Sequence, residues 1–161
     1  MTAAGPETPN ELEDLLRRLE ESQQQLVEAL KSADSARFEK ESAEGESLKR
    51  ALERTSDDIN FYYGQLAARA LSLPQPPCLQ RADFSSLREA AMSLQVAHRR
   101  FSNLLHDLAP ADLEKKPSEG EEHPAYTLRQ VLEMATAHYK LRAQQVKALS
   151  APAGRRRTST R

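Results

Sequence analysis

Residues 86–108 read SLREAAMSLQVAHRRFSNLLHDL, and this stretch decides the fold class. Ser86 followed three residues later by Glu89 is a capping box, the sequence mark of a helix start. Leu87, Ala91, Leu94, Phe101, Leu105 and Leu108 then recur at three-, four- and seven-residue steps, which places them on one face of an amphipathic helix. His98 interrupts the apolar stripe at its centre.

The same grammar appears three more times. Thr8-Pro9-Asn10-Glu11 predicts a helix start with Thr8 as cap and Pro9 in the first turn. Leu12, Leu15, Leu16, Leu19, Leu26, Val27 and Leu30 form its stripe, broken by Gln23. A polar connection ending near Gly45 leads to a helix that opens at Ser47 and runs to about Leu71, with Leu48, Leu52, Thr55, Ile59, Tyr62 and Leu66 on its inner face. Pro74, Pro76 and Pro77 stop it, because proline lacks the amide hydrogen a helix needs. The last helix opens at Thr127-Leu128-Arg129-Gln130 and carries Val131, Leu132, Ala135, Tyr139, Val146 and Leu149.

A shift of 75 residues superposes Leu12 on Leu87, Leu19 on Leu94, Gln23 on His98, Leu30 on Leu105, Phe38 on Leu113 and Gly45 on Gly120. After five extra residues, Glu122 to Tyr126, the offset becomes 80, and Ser47-Leu48 meets Thr127-Leu128. The chain is therefore predicted to be all-α, an up-and-down four-helix bundle of two repeated helical hairpins. Residues 1–8 read as a flexible N-terminus, 9–150 as the bundle and 151–161 as a disordered basic tail.

Composition narrows the function. A chain of 161 residues suffices for one domain with its own core. The formal net charge of −1 gives no overall field to draw in nucleic acid. Arg155-Arg156-Arg157 has no aromatic platform beside it and reads as a solvated tail. Cys78 is the sole cysteine, so no internal disulfide can form. It lies in a Pro-rich loop with no His or acid adjoining, which reads as an incidental thiol rather than a nucleophile. No signal segment and no apolar run long enough to span a membrane appear, so a soluble, cytoplasmic protein is expected.

Several polar residues fall on or beside the inner faces. Gln23 and His98 sit at stripe centres, Arg142 and Tyr62 inside theirs, and Asp58 and His138 at the edges. The repeat makes Asp58 the counterpart of His138 and Tyr62 the counterpart of Arg142. A buried, unpaired guanidinium is costly, so Arg142 must pair with an acid such as Asp58, reach solvent, or line a wet pocket. Phe61 points away from the stripe with Asp57, Gln65 and Ala68. An aromatic there predicts an isologous homodimer through the second helix, with cover by the connection 73–79 as the alternative.

The run Leu108-Ala109-Pro110-Ala111-Asp112-Leu113-Glu114, then His123-Pro124, Thr127-Leu128-Arg129 and His138, resembles the DinB-like superfamily of bacterial four-helix bundles. Gly45-Glu46-Ser47-Leu48-Lys49 is similar to that family's Gly-Glu-Trp-Ser-Leu element without the Trp. The likeness spans about Glu11 to Leu149. It implies a divalent metal, such as zinc or nickel, held by one His of the second helix and two of the fourth, and thiol-transferase chemistry in related members. Those positions fall on Arg54, His138 and Arg142 here. Arginine has only donors and keeps its charge, so two of the three cannot ligate. Within ~5 Å of a guanidinium a divalent cation is disfavoured by about 7 kcal/mol at an effective dielectric of 20. The expectation is a DinB-like bundle with a degenerate metal site, no cofactor and no catalytic residues, serving as a binding or interaction module for a small molecule or thiol. The alternative is a metal-dependent thiol transferase or hydrolase with ligands drawn from His138, His98, Asp58 and His106.

Overall fold

The computed structural model describes residues 10–74, 80–118 and 125–151, and every regular element among them is helical. Helix α1 spans Glu11–Lys31, α2 Leu48–Asp58, α3 Gly64–Ala70, α4 Leu87–Asn103 and α5 Leu128–Ser150. Among the described residues no helix is long and apolar enough to cross a membrane. Thr8, Pro9, Cys78, His123, Pro124 and the basic tail lie outside the described residues, as do the terminal segment 1–8 and most of 151–161.

Local chemistry explains most helix starts. Ser47 Oγ accepts the Arg50 amide, Ser86 Oγ the Glu89 amide and Thr127 Oγ1 the Gln130 amide, each satisfying a first-turn N–H that has no partner within the helix. Gln130 Oε1 accepts the Thr127 amide in return, at 2.9 Å. Helix α1 departs from expectation: its cap is Asn10, whose Oδ1 accepts the Leu12 amide, so the helix opens at Glu11. Helix α4 ends earlier than its stripe predicts. After Asn103 the chain turns through Asp107, at φ 56°, and Leu105 is buried from the turn rather than from the helix.

A wide π-turn, Ile59–Tyr63, joins α2 to α3, so one continuous rod replaces the uniform helix expected over this stretch. The wider turn advances each residue by a smaller angle than an α-turn. Tyr63 consequently lies beneath Ile59 while Tyr62 swings outward and is 44% exposed, which corrects its expected place on the inner face. Phe61 is half-buried, with the Arg81 guanidinium 4.3 Å from its ring centre. That cover from within the chain shrinks the aromatic surface this face offers to a second copy.

Helix α1 packs along α5, α2 against α4 and α5, and α4 against α1. Contacts at the ends fix the directions. Arg129 in the first turn of α5 makes a two-pronged ion pair with Glu11 in the first turn of α1, at 2.7 and 2.9 Å. At the far end Arg37, just after α1, donates to the Ala151 carbonyl just after α5. The two helices therefore run parallel. Lys49, at the start of α2, meets Asp83 and Phe84, which lead into α4, so α2 and α4 also start at one end. Strict up-and-down alternation would set α1 and α5 antiparallel, and the observed order is up, down, down, up.

Residues 82–84, which lead into α4, make that order possible by lying back along α2. Asp57 Oδ1 accepts the Ala82 amide, Glu53 Oε2 accepts the Phe84 amide, and Lys49 Nζ donates to the Phe84 carbonyl. These three side chains lie at four-residue steps on one face of α2, forming a ladder for an extended segment. Phe84 is buried at its end. The core is built from Leu19, Leu26, Leu48, Leu52, Phe101, Val131, Leu132 and Val146. Phe38, just after one 3-10 turn, and Leu113, inside another, close it from the connections, and these turns begin 75 residues apart at Ser35 and Pro110.

Candidate functional site

Two polar clusters meet at consecutive residues of α5. His138 faces the rod formed by α2, the π-turn and α3, and Tyr139 faces α4.

Around His138, Arg142 Nη2 lies 3.3 Å from Asp58 Oδ2 and Nη1 donates to Gln145 Oε1 at 2.7 Å. His138 Nε2 is 3.7 Å from the same Asp58 oxygen, beyond hydrogen-bond reach. The Tyr63 ring stacks obliquely on the imidazole, 5.0 Å between centres. Two buried nitrogens of this cluster, His138 Nε2 and Arg142 Nε, have no hydrogen-bond partner among protein atoms. Burial removes the water that would stabilise an imidazolium and pulls His138 down to about 4, a loss the Asp58 carboxylate only partly offsets and the Arg142 charge adds to. Burial also pushes the Tyr63 hydroxyl up to about 12. At neutral pH the cluster thus holds one guanidinium, one carboxylate, a neutral imidazole and a neutral phenol.

Around Tyr139, the His98 ring is held from both sides. Nε2 lies 2.9 Å from Glu20 Oε1 and Nδ1 lies 2.7 Å from Tyr139 Oη. A carboxylate can only accept, so in the neutral ring Nε2–H donates to Glu20 and Nδ1 accepts the Tyr139 O–H. Burial pushes Tyr139 well above the usual phenol range, keeping that O–H protonated. Ser102 Oγ donates to the same Glu20 oxygen at 3.2 Å.

The residues singled out from sequence therefore divide. Asp58, His138 and Arg142 come together. His98 belongs to the second cluster, with Tyr139 between it and His138. Tyr62 faces solvent, Arg54 turns away to an ion pair with Glu46, and His106 is exposed. Gln23 is half-buried between α1 and α4. Sequence reasoning missed Tyr63, Gln145 and Glu20. It also missed the bond between His98 and Tyr139, although both sit mid-stripe with polar tips that burial obliges to find partners.

The donor set does not fit the metal that the family resemblance implies. Of Arg54, His138 and Arg142, one is turned to Glu46, one is a cation already on Asp58, and one supplies a single imidazole nitrogen. His98 cannot complete a set with His138, because both of its ring nitrogens are engaged elsewhere. No group of three or more His, Cys, Asp or Glu side chains among the described residues is arranged to hold an ion. Compared with known protein families, characterised proteins and solved structures, the chain matches none.

Proposed function

We propose that this chain is a non-catalytic binding module, a DinB-like four-helix bundle of two repeated hairpins in which a guanidinium has taken over the electrostatic role of a metal. The contact between Arg142 and Asp58 carries the reading. A guanidinium keeps its charge at any working pH, and here it neutralises the carboxylate nearest to His138. The cluster is thereby balanced without an ion. Asp58, the carboxylate of the cluster, is tied to Arg142 rather than to His138, which it approaches only to 3.7 Å.

Native purification followed by elemental analysis, with zinc and nickel titrations by calorimetry, tests the proposal. The expected result is no stoichiometric metal in the wild type. One metal per chain, removed by His138→Ala, overturns it and favours the metal-dependent transferase or hydrolase. Arg142→His adds the complementary arm. It sets two imidazoles four residues apart with Asp58 alongside, the spacing a helix needs to present both to one ion. Zinc uptake by that variant is expected, and its failure removes the idea that this cluster is a derelict metal site.

A further inference from the structure

Helices α1 and α4 leave a groove between them that the His138 cluster does not share. It contains two adjoining cavities of about 320 and 330 Å3. Leu26, Leu30, Ala91 and Leu94 line the first, with Lys31 and Arg88 also in its wall. Gln23 and Gln95 line both cavities and mark where the apolar stretch gives way to His98 and Ser102. Among the described residues no Asp or Glu lines the first cavity, whereas Glu20 stands beside the second, on His98 and Ser102.

We propose that the first cavity binds an amphipathic monocarboxylate, with its apolar body on Leu26, Leu30, Ala91 and Leu94 and its carboxylate on Arg88 and Lys31. The charge pattern selects the head group: two cations in the wall favour a carboxylate, disfavour an ammonium and give a neutral molecule no advantage. Lys31 pairs with Glu28, one turn earlier, at 3.3 Å. Both side chains of that pair are about two-thirds exposed, so it holds the lysine weakly. Size selects the body. Arg88 and Gln95 are seven residues apart on α4, about 10 Å of helix, which suits a chain of about eight carbons. Ala91 is what leaves the room, because a larger side chain there would occupy the space. A helical peptide would need a longer apolar trough than this one, which Gln23 and Gln95 close.

This inference adds a ligand class to the binding-module reading and does not depend on the Asp58 cluster. Octanoate is the probe, followed by calorimetry and by amide-shift changes in NMR, with octylammonium and octanol in parallel. The expected result is one saturable octanoate site per chain, with octylammonium at least tenfold weaker and shifts confined to α1, the turn after it, α4 and Tyr139. Arg88→Glu alters an exposed side chain, leaves the core intact, and is expected to weaken octanoate by about fivefold or more. Ala91→Phe is expected to abolish binding by filling the cavity, with helical circular dichroism retained. Absence of saturable octanoate binding at millimolar concentration, equal binding of octylammonium, or no effect of Arg88→Glu overturns the proposal. Zinc uptake by Arg142→His reports on the other cluster, so the two readings fail separately.

Discussion

Arg142 on α5 and Asp58 at the end of α2, 84 residues apart, meet with Nη2 3.3 Å from Oδ2. The pair joins the fourth long helix to the second just before the π-turn. It also explains why a guanidinium can stand with only 15% of its side chain exposed. The carboxylate is 40% exposed, so water and salt screen the attraction.

Arg142→Met keeps the aliphatic bulk and removes the charge. It is expected to destabilise the fold by about 1–2 kcal/mol in urea unfolding. A double-mutant cycle with Asp58→Asn should return a coupling of about 1 kcal/mol. Coupling within error of zero would show that Arg142 acts through packing alone.

His138 predicts a loss of stability in mild acid. Its folded-state value, about 4, lies below the 6.5 of an unperturbed imidazole, so the unfolded chain binds the proton first. The contribution is whole above about pH 6.5 and falls away as pH drops toward 4, amounting to about 3 kcal/mol at most. Urea midpoints measured from pH 7 to 4 should show this slope, and His138→Gln should flatten it. A ring titration near 6.5 by NMR would refute the neutral buried imidazole.

Gly64 closes the π-turn, and a Cβ placed on it would come within 2.9 Å of the Ile59 carbonyl oxygen. Helix propensity alone favours Gly64→Ala by about 1 kcal/mol. The contact with a backbone oxygen opposes this, and the net expectation is a loss of about 1–2 kcal/mol. Thermal unfolding gives the sign directly. A more stable variant would mean that the π-turn relaxes to an ordinary helix at no cost.

Glu53 Oε2 takes both the Phe84 amide, at 2.8 Å, and Lys49 Nζ, at 2.6 Å. Glu53→Ala removes the middle rung of the ladder that holds the returning segment on α2. The expected cost is about 1–3 kcal/mol, with faster hydrogen exchange at the Phe84 amide than at amides in the middle of α5. Unchanged exchange at Phe84 would show that burial of its ring suffices.

Sequence by itself determined what depends on neighbours a few residues away. Ser47, Ser86 and Thr127 cap helices because a hydroxyl three residues before an amide needs no tertiary partner to bond it. The stripes of Leu, Ala and Val set the inner faces, and the cost of burying a lone charge left Arg142 three options, of which pairing with Asp58 was one. Tertiary structure decided the rest. The π-turn at Ile59–Tyr63 exchanges Tyr62 for Tyr63 beside His138, and only the packing of that rod against α5 makes the exchange worthwhile. Glu20 lies on the polar side of α1, where nothing local distinguishes it from Glu13 or Glu21, until α4 brings His98 within 2.9 Å. Helix direction was out of reach for the same reason. The connection between Leu71 and Ser86 is long enough for α4 to start at either end, and the rungs at Lys49, Glu53 and Asp57 choose between them.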